Sequence, residues 1–154
     1  MAFPERIVIK GIRHPNQIPP PAAQHDEMTD GGAAVLLASE HAARKLGLEP
    51  VAILRSASVA ALDPLEELLL GPAVSVPRAL GAAGLELAEV EVVELHEAFA
   101  AQAISVNKEL GWDLDKVNVS GGAISIGHPI GASGARILVT LLHGMKRRDA
   151  KKGL

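Results

Sequence analysis

The chain has 154 residues, of which 48% are hydrophobic and 21% charged, and a formal net charge of −3. This suits one compact domain or part of a larger one, and offers no electrostatic attraction to nucleic acid or to an anionic membrane surface. Aromatic residues make up only 2%, and Phe3, Phe99 and Trp112 are the whole set, so a base-stacking platform is excluded and the core must be built from Ala, Val, Leu and Ile.

Prolines 4, 15, 19, 20 and 21 break any helix in the first thirty residues, although Ile7–Ile12 reads as a short strand and Gln24–Asp30 as a polar loop. From Gly31 the pattern becomes α/β. Ala33–Leu37 is a short apolar run that fits a buried strand. Ser39 is placed to cap a helix over Glu40–Leu46, with Gly47 as its stop. Val51–Ser58 reads as a strand and Pro64–Leu70 as a helical turn. After the Gly71-Pro72 break, a helix is predicted over Val74–Ala83, ending at Gly84. Val90–Leu95 is a further strand candidate. A helix over 97–110 follows it, with Gly111 as its stop, and Val117–Val119 is a short strand. The last helix, Ser133–Arg148, is the clearest: Ile137, Leu138, Leu141, Leu142 and Met145 share one face. Strands alternating with helices predict a mostly parallel sheet under helical cover. The basic residues Lys146, Arg147, Arg148, Lys151 and Lys152 fall at the end of that helix, where cations complement its dipole.

No apolar run reaches the length of a bilayer span, and Met1–Lys10 lacks the apolar stretch of a signal peptide, so a cytoplasmic location is expected. Cysteine is absent, which leaves no disulfide, no Cys-ligated zinc and no thiol chemistry within these residues. The six histidines form no HExxH pair, and no metal site is expected.

Two segments carry the chemistry. In Leu95-His96-Glu97-Ala98-Phe99-Ala100-Ala101-Gln102, a histidine stands where a predicted strand passes into a predicted helix, the edge at which α/β sheets place ligands. Such a histidine is either a site residue or a structural one beside an apolar helix. The second segment runs from Gly121 to Gly134. Its glycines at 121, 122, 127, 131 and 134, with Pro129 biasing its neighbour toward an extended backbone, hold one imidazole, His128, just ahead of a helix. A phosphate cradle would need a Lys-Ser/Thr pair or GxGxxG, and neither is present. A tight turn requiring small residues remains the alternative.

GGAISIGHPIGASGARILVTLLH, within Val117–Leu142 and its neighbour His143, closely resembles the C-terminal signature of thiolases, the acetyl-CoA acyltransferases. LHEAFAAQ resembles the family's Asn-Glu-Ala-Phe or His-Glu-Ala-Phe motif, and Thr29-Asp30-Gly31-Gly32-Ala33-Ala34 a further family segment. Leu68-Leu69-Leu70-Gly71-Pro72 and His96-Glu97-Ala98-Phe99 look like the branch holding β subunits of fatty-acid oxidation complexes. Gly111-Trp112-Asp113 looks more like degradative or acetoacetyl-CoA thiolases, which leaves acyl chain length open.

The resemblance implies an α/β, thiolase-like fold, a mixed sheet with helices on its faces and an incomplete C-terminal half. It divides the chain into an irregular proline-rich segment over 1–28 and a partial thiolase C-terminal-like domain over 29–154. It implies acyl-CoA or 3-ketoacyl-CoA thioester chemistry with coenzyme A thioester as substrate and no covalently bound cofactor. His128 would activate a nucleophilic cysteine and help bind the thioester oxygen, and His96 would form part of an oxyanion hole. Ala98, Phe99 and Gly127 would line the pantetheine or acyl pocket and the thioester approach. The family's two cysteines lie in segments these residues do not include, so the chain alone is expected to be inactive, and the helix over 133–148 to be left partly uncovered. Asp26 stands where the family has a CoA-contacting Ser. Assembly as a homo-oligomer, or with another thiolase-fold chain, completes the expectation. A non-catalytic CoA-binding or oligomerisation partner is the alternative.

Overall fold

The computed structural model describes residues 7–12 and 28–154. The expectations for the remainder of the first 27 residues, including the prolines and Asp26, fall outside the described residues. Three strands form one sheet in the order β2-β1-β3: β1 is Ile7–Ile12, β2 Ala34–Ser39 and β3 Ala52–Leu54. Both pairings are antiparallel, with Ile7 opposite Ser39 and Ile12 opposite Ala34 on one side, and Ile7 opposite Leu54 on the other. Among the described residues, the parallel pairing expected from β/α alternation is confined to three isolated bridges, Met28 with His128, Val92 with Gly153 and Val93 with Val117.

Ser39 closes β2 and opens α1, Glu40–Lys45, its hydroxyl accepting from the Ala42 amide at 3.2 Å. β3 is shorter than the predicted 51–58 because the chain leaves the sheet early: the Ser56 hydroxyl donates to the Ala79 carbonyl at 2.7 Å, tying this stretch to α2. Residues 64–70 form turns as anticipated. Helix α2, Gly71–Ala83, begins three residues before the predicted start, since Pro72 lies in the first turn, where its missing N–H costs nothing. It tolerates Pro77 inside and ends at Gly84. Helix α3 spans Ala100–Leu110 and ends at Gly111, whose amide returns to the Asn107 carbonyl at 2.9 Å. A single turn α4, Ala123–Ile126, lies inside the glycine-rich segment, and α5 occupies the predicted Ser133–Arg148.

The predicted strand at 90–95 is instead a largely buried spine that forms one isolated bridge on each side, Val93 with Val117 and Val92 with Gly153. Its Val93 amide donates to Lys116 O at 2.8 Å, and its Glu94 amide donates to Leu154 O at 2.9 Å. Val90, Val93 and Leu95 join Leu80, Val106 and Trp112 in the main core, and Val92 is fully buried. Helix α2 packs against α3, and α5 against β1 and β2. The apolar face of α5 is partly covered: Leu141 and Leu142 are buried, while Ile137, Leu138 and Met145 are half-buried. Exposed apolar side chains lie elsewhere, at Leu36, Leu37, Val51 and Ile53 in and beside the sheet and at Val59 and Leu65 in the following connection.

The basic cluster is engaged locally on the surface. Lys152 pairs with Glu89 at 2.5 Å, Lys151 with Asp149 at 2.5 Å, and Arg147 donates to the Ser120 hydroxyl. Among the described residues, no helix is long and apolar enough to cross a membrane.

Candidate active site

The two motif histidines, thirty-odd residues apart in the sequence, meet in space: the His96 and His128 ring centroids lie 4.3 Å apart with their planes inclined at 52°. His128 comes from the loop between α4 and α5. Two close contacts dictate the shape of that loop. Gly127 has φ 78° and ψ 175°, a conformation open to glycine alone, and a Cβ there would lie 2.4 Å from Thr29 Cγ2. Met28, the neighbour of Thr29, bridges to His128. The Thr29–Gly31 segment therefore backs the histidine loop directly.

Helix α5 fixes the other side of the loop. Arg136 donates to the Gly127 carbonyl, and the Ala132 and Ser133 amides both donate to Pro129 O, at 2.7 and 2.9 Å. Ser133 is buried, with its hydroxyl 2.6 Å from His128 Nδ1 and 3.2 Å from Pro129 O. A serine has one hydroxyl proton. When it goes to Pro129 O, His128 Nδ1–H donates to Ser133 Oγ, and Nε2 becomes the basic nitrogen.

His96 lies not immediately before a helix, as predicted, but in a non-helical lead ahead of α3, which starts at Ala100. Asn118 explains the delay. Its side chain accepts from the Leu95 amide at 2.7 Å and donates to Leu95 O at 2.9 Å and to Glu97 Oε1 at 2.7 Å, holding 95–97 out of the helix. Gly122 lets this cluster close up, because a Cβ there would fall 2.2 Å from Glu97 Cδ. Of the other predicted site residues, Phe99 precedes α3 and is 48% exposed, while Ala98 is half-buried.

Asn118, Ser133 and Arg136 were not singled out from the sequence. The position of Ser133, five residues after His128 at a helix start, was the available signal. A separate cleft of about 450 Å³, lined by Val90, Val93, Trp112 and Lys116 among others, contains neither histidine. The Lys116 ammonium beside it is bound to Val90 O at 2.9 Å.

Glu94 adds a buried carboxyl near the site. Its Oε1 has no hydrogen-bond partner among the described residues. Burial first, and then the negative charge of Glu97, push it up to about 7, against the pull of Arg147 and Arg136. Unfolded, Glu94 loses its proton near 4.5, whereas folded it keeps the proton to about 7, so stability falls as pH rises between those values. We expect Glu94→Gln to match the parent near pH 4.5 and to be more stable above pH 7 by on the order of 1 kcal/mol, allowing for solvent screening. Urea titrations at the two pH values check this, and a difference that is constant with pH would contradict it.

The family model described as "Thiolase, C-terminal domain" matches residues 48–154. The chain belongs to the thiolase family. This thiolase domain is 53% identical over 133 residues to an acetyl-CoA acetyltransferase of Cupriavidus necator, covering 86% of the chain and 34% of that protein. It is 55% identical over 127 residues to the acetyl-CoA acetyltransferase of Chromobacterium violaceum, covering 82% and 32%. The crystal structure of the Bacillus anthracis acetyl-CoA acetyltransferase superposes with a TM-score of 0.80 at 42% identity, over 84% of this chain and 33% of that one. Human mitochondrial 3-ketoacyl-CoA thiolase superposes with a TM-score of 0.73 at 38% identity, over 83% and 33%. The thiolase domain thus spans about a third of the length of these relatives, and the expected α/β thiolase fold is that of its structural neighbours.

Proposed function

We propose that this thiolase domain supplies the histidine side of an acyl-CoA acyltransferase site acting on acetyl-CoA or 3-ketoacyl-CoA thioesters. The observation that carries this reading is the convergence of His96 and His128 at 4.3 Å. His128 takes the proton of a cysteine thiol, and the thiolate attacks the thioester carbonyl. The carbon–sulfur bond to coenzyme A then breaks, and the imidazolium returns the proton to the departing thiolate. His96 donates toward the oxygen on which negative charge develops. The exposed Phe99 ring and the backbone at Gly127 and Ala98 border the path of the pantetheine arm. The 154 residues contain no cysteine, so the thiol comes from outside them. Relatives named as acetyl-CoA acetyltransferases support the substrate class.

Exposed Leu36, Leu37, Val51 and Ile53 support the companion reading that the sheet pairs with another thiolase-fold chain or a second copy.

Calorimetry with acetyl-CoA tests the thioester reading. Saturable binding is expected, weakened about tenfold by His128→Ala, the size of one lost hydrogen bond at about 1.4 kcal/mol. Phe99→Ala should weaken it as well. Acetoacetyl-CoA and CoA incubated with the chain should show no turnover. Absence of binding heat, or His128→Ala binding as tightly as the parent, would sink the proposal.

A further inference from the structure

Asn118 lies where a strand would normally continue. Its amide donates to Val93 O at 2.8 Å, closing the Val93–Val117 bridge, but at φ 47° its backbone turns into the left-handed region and cannot carry the ladder on. The side chain takes over. Its amide group offers one acceptor and one donor to the two backbone groups of Leu95, at 2.7 and 2.9 Å, as a peptide unit in a facing strand would. The second amide proton goes to Glu97 Oε1 at 2.7 Å. These contacts grip the residues on either side of His96. His96 lies between the two grips, and its ring meets His128. Asparagine suits this place twice over, tolerating the left-handed backbone and carrying a short planar amide. Gly122 leaves the room, since a Cβ there would lie 2.5 Å from Asn118 Nδ2.

We infer that Asn118 is the positioning residue for His96: its side-chain amide stands in for a strand peptide and fixes 95 and 97 on either side of it, so that the imidazole meets His128. The inference rests on reading the two histidines as a functional pair, but its test does not need thioester binding. Asn118→Gly keeps the left-handed backbone at no steric cost and removes only the grip. In the labelled 154-residue chain, the nuclear Overhauser contact between the His96 and His128 ring protons should fall severalfold in Asn118→Gly, with the amide pattern of α5 unchanged. Asn118→Asp keeps the acceptor, loses both donated bonds and sets a second carboxylate against Glu97. It should lose the same contact while still folding.

A ring contact that persists in either folded variant, with only a lower melting temperature, would assign Asn118 a general structural role and overturn the inference. In the unaltered chain the Asn118 side-chain amide protons should exchange slowly, and exchange at the rate of an exposed amide would overturn the inference without any variant. Loss of acetyl-CoA binding alone would count against the thioester reading and leave the ring contact to be judged separately.

Discussion

Gly127→Ala is expected to destabilise the chain by about 3 kcal/mol and to separate the two histidines. Two costs add. A non-glycine residue forced into a glycine-only backbone region costs about 1–3 kcal/mol. The new methyl would also fall 2.4 Å from Thr29 Cγ2 and 2.6 Å from Thr29 Oγ1, and overpacking of this kind typically costs about 1–3 kcal/mol. Thr29 must shift to make room, and it adjoins Met28, which bridges to His128. The injury is therefore local to the site as well as global. Gly131, in the same loop, has nothing within 4 Å of an added Cβ and no left-handed φ, so Gly131→Ala should change stability by less than about 0.5 kcal/mol. Urea denaturation of both variants, with the His96–His128 ring contact followed by NMR, checks the pair. Equal stabilities for the two would refute the account.

Trp112→Ala should be at least as damaging to the fold, at about 3–5 kcal/mol. With aromatics at 2% of the chain, no other large ring is available to fill the same volume. Trp112 is 9% exposed and packs in one cluster with Leu80, Val90, Val93, Leu95 and Val106. Its indole Nε1–H donates to Asn107 Oδ1 at 2.5 Å, tying the chain after α3 back to the last turn of that helix. Trp112→Phe separates packing from this bond. It should cost only about 1 kcal/mol beyond the lost ring volume, because half-exposed Asn107 can bind water instead. A Phe variant as unstable as the Ala variant would show that the hydrogen bond, not the volume, dominates. The two changes act on different parts of the molecule, the loop bearing His128 and the core behind α3, and their effects should be separable in the double variant.

Features written locally in the chain were legible in its sequence. Ser39 capping α1, the ends of α2 and α3 at Gly84 and Gly111, and the span of α5 all follow from residues within a turn of the feature. The apolar stripe of α5 was readable for the same reason, since a period of 3.6 needs no partner to be seen. The histidine pair was legible through two motifs whose glycines and proline restrict the backbone nearby. What was missed depends on distant partners. The predicted start of α3 at 97 failed because Asn118 claims Leu95 and Glu97 from 23 and 21 residues away. The predicted strand at 51–58 failed beyond Leu54 because Ser56 reaches Ala79. β/α alternation suggested parallel pairing, but the sheet that forms is built around β1, which alternation placed in no helix–strand repeat. The high carboxyl pKa of Glu94 needs burial and Glu97 together, and neither is visible from a glutamate in an alternating run.

The contact of Thr29 with Gly127, and of Gly31 with Pro129, reaches across most of the chain to the loop that holds His128. The stretch matched by the thiolase C-terminal family model, 48–154, contains both histidines and the whole of α2 to α5, yet leaves out this backing segment. A region that is one unit by descent is thus not the whole unit that shapes the imidazole. Joining the two costs the loop-closure entropy of a long intervening chain, while α2 and α3 close over short distances. The core can form early and the histidine loop be completed last, with correspondingly low resistance to local opening. Order at His128 then reports whether the far end of the chain has come home, a question that helix content and core packing do not answer.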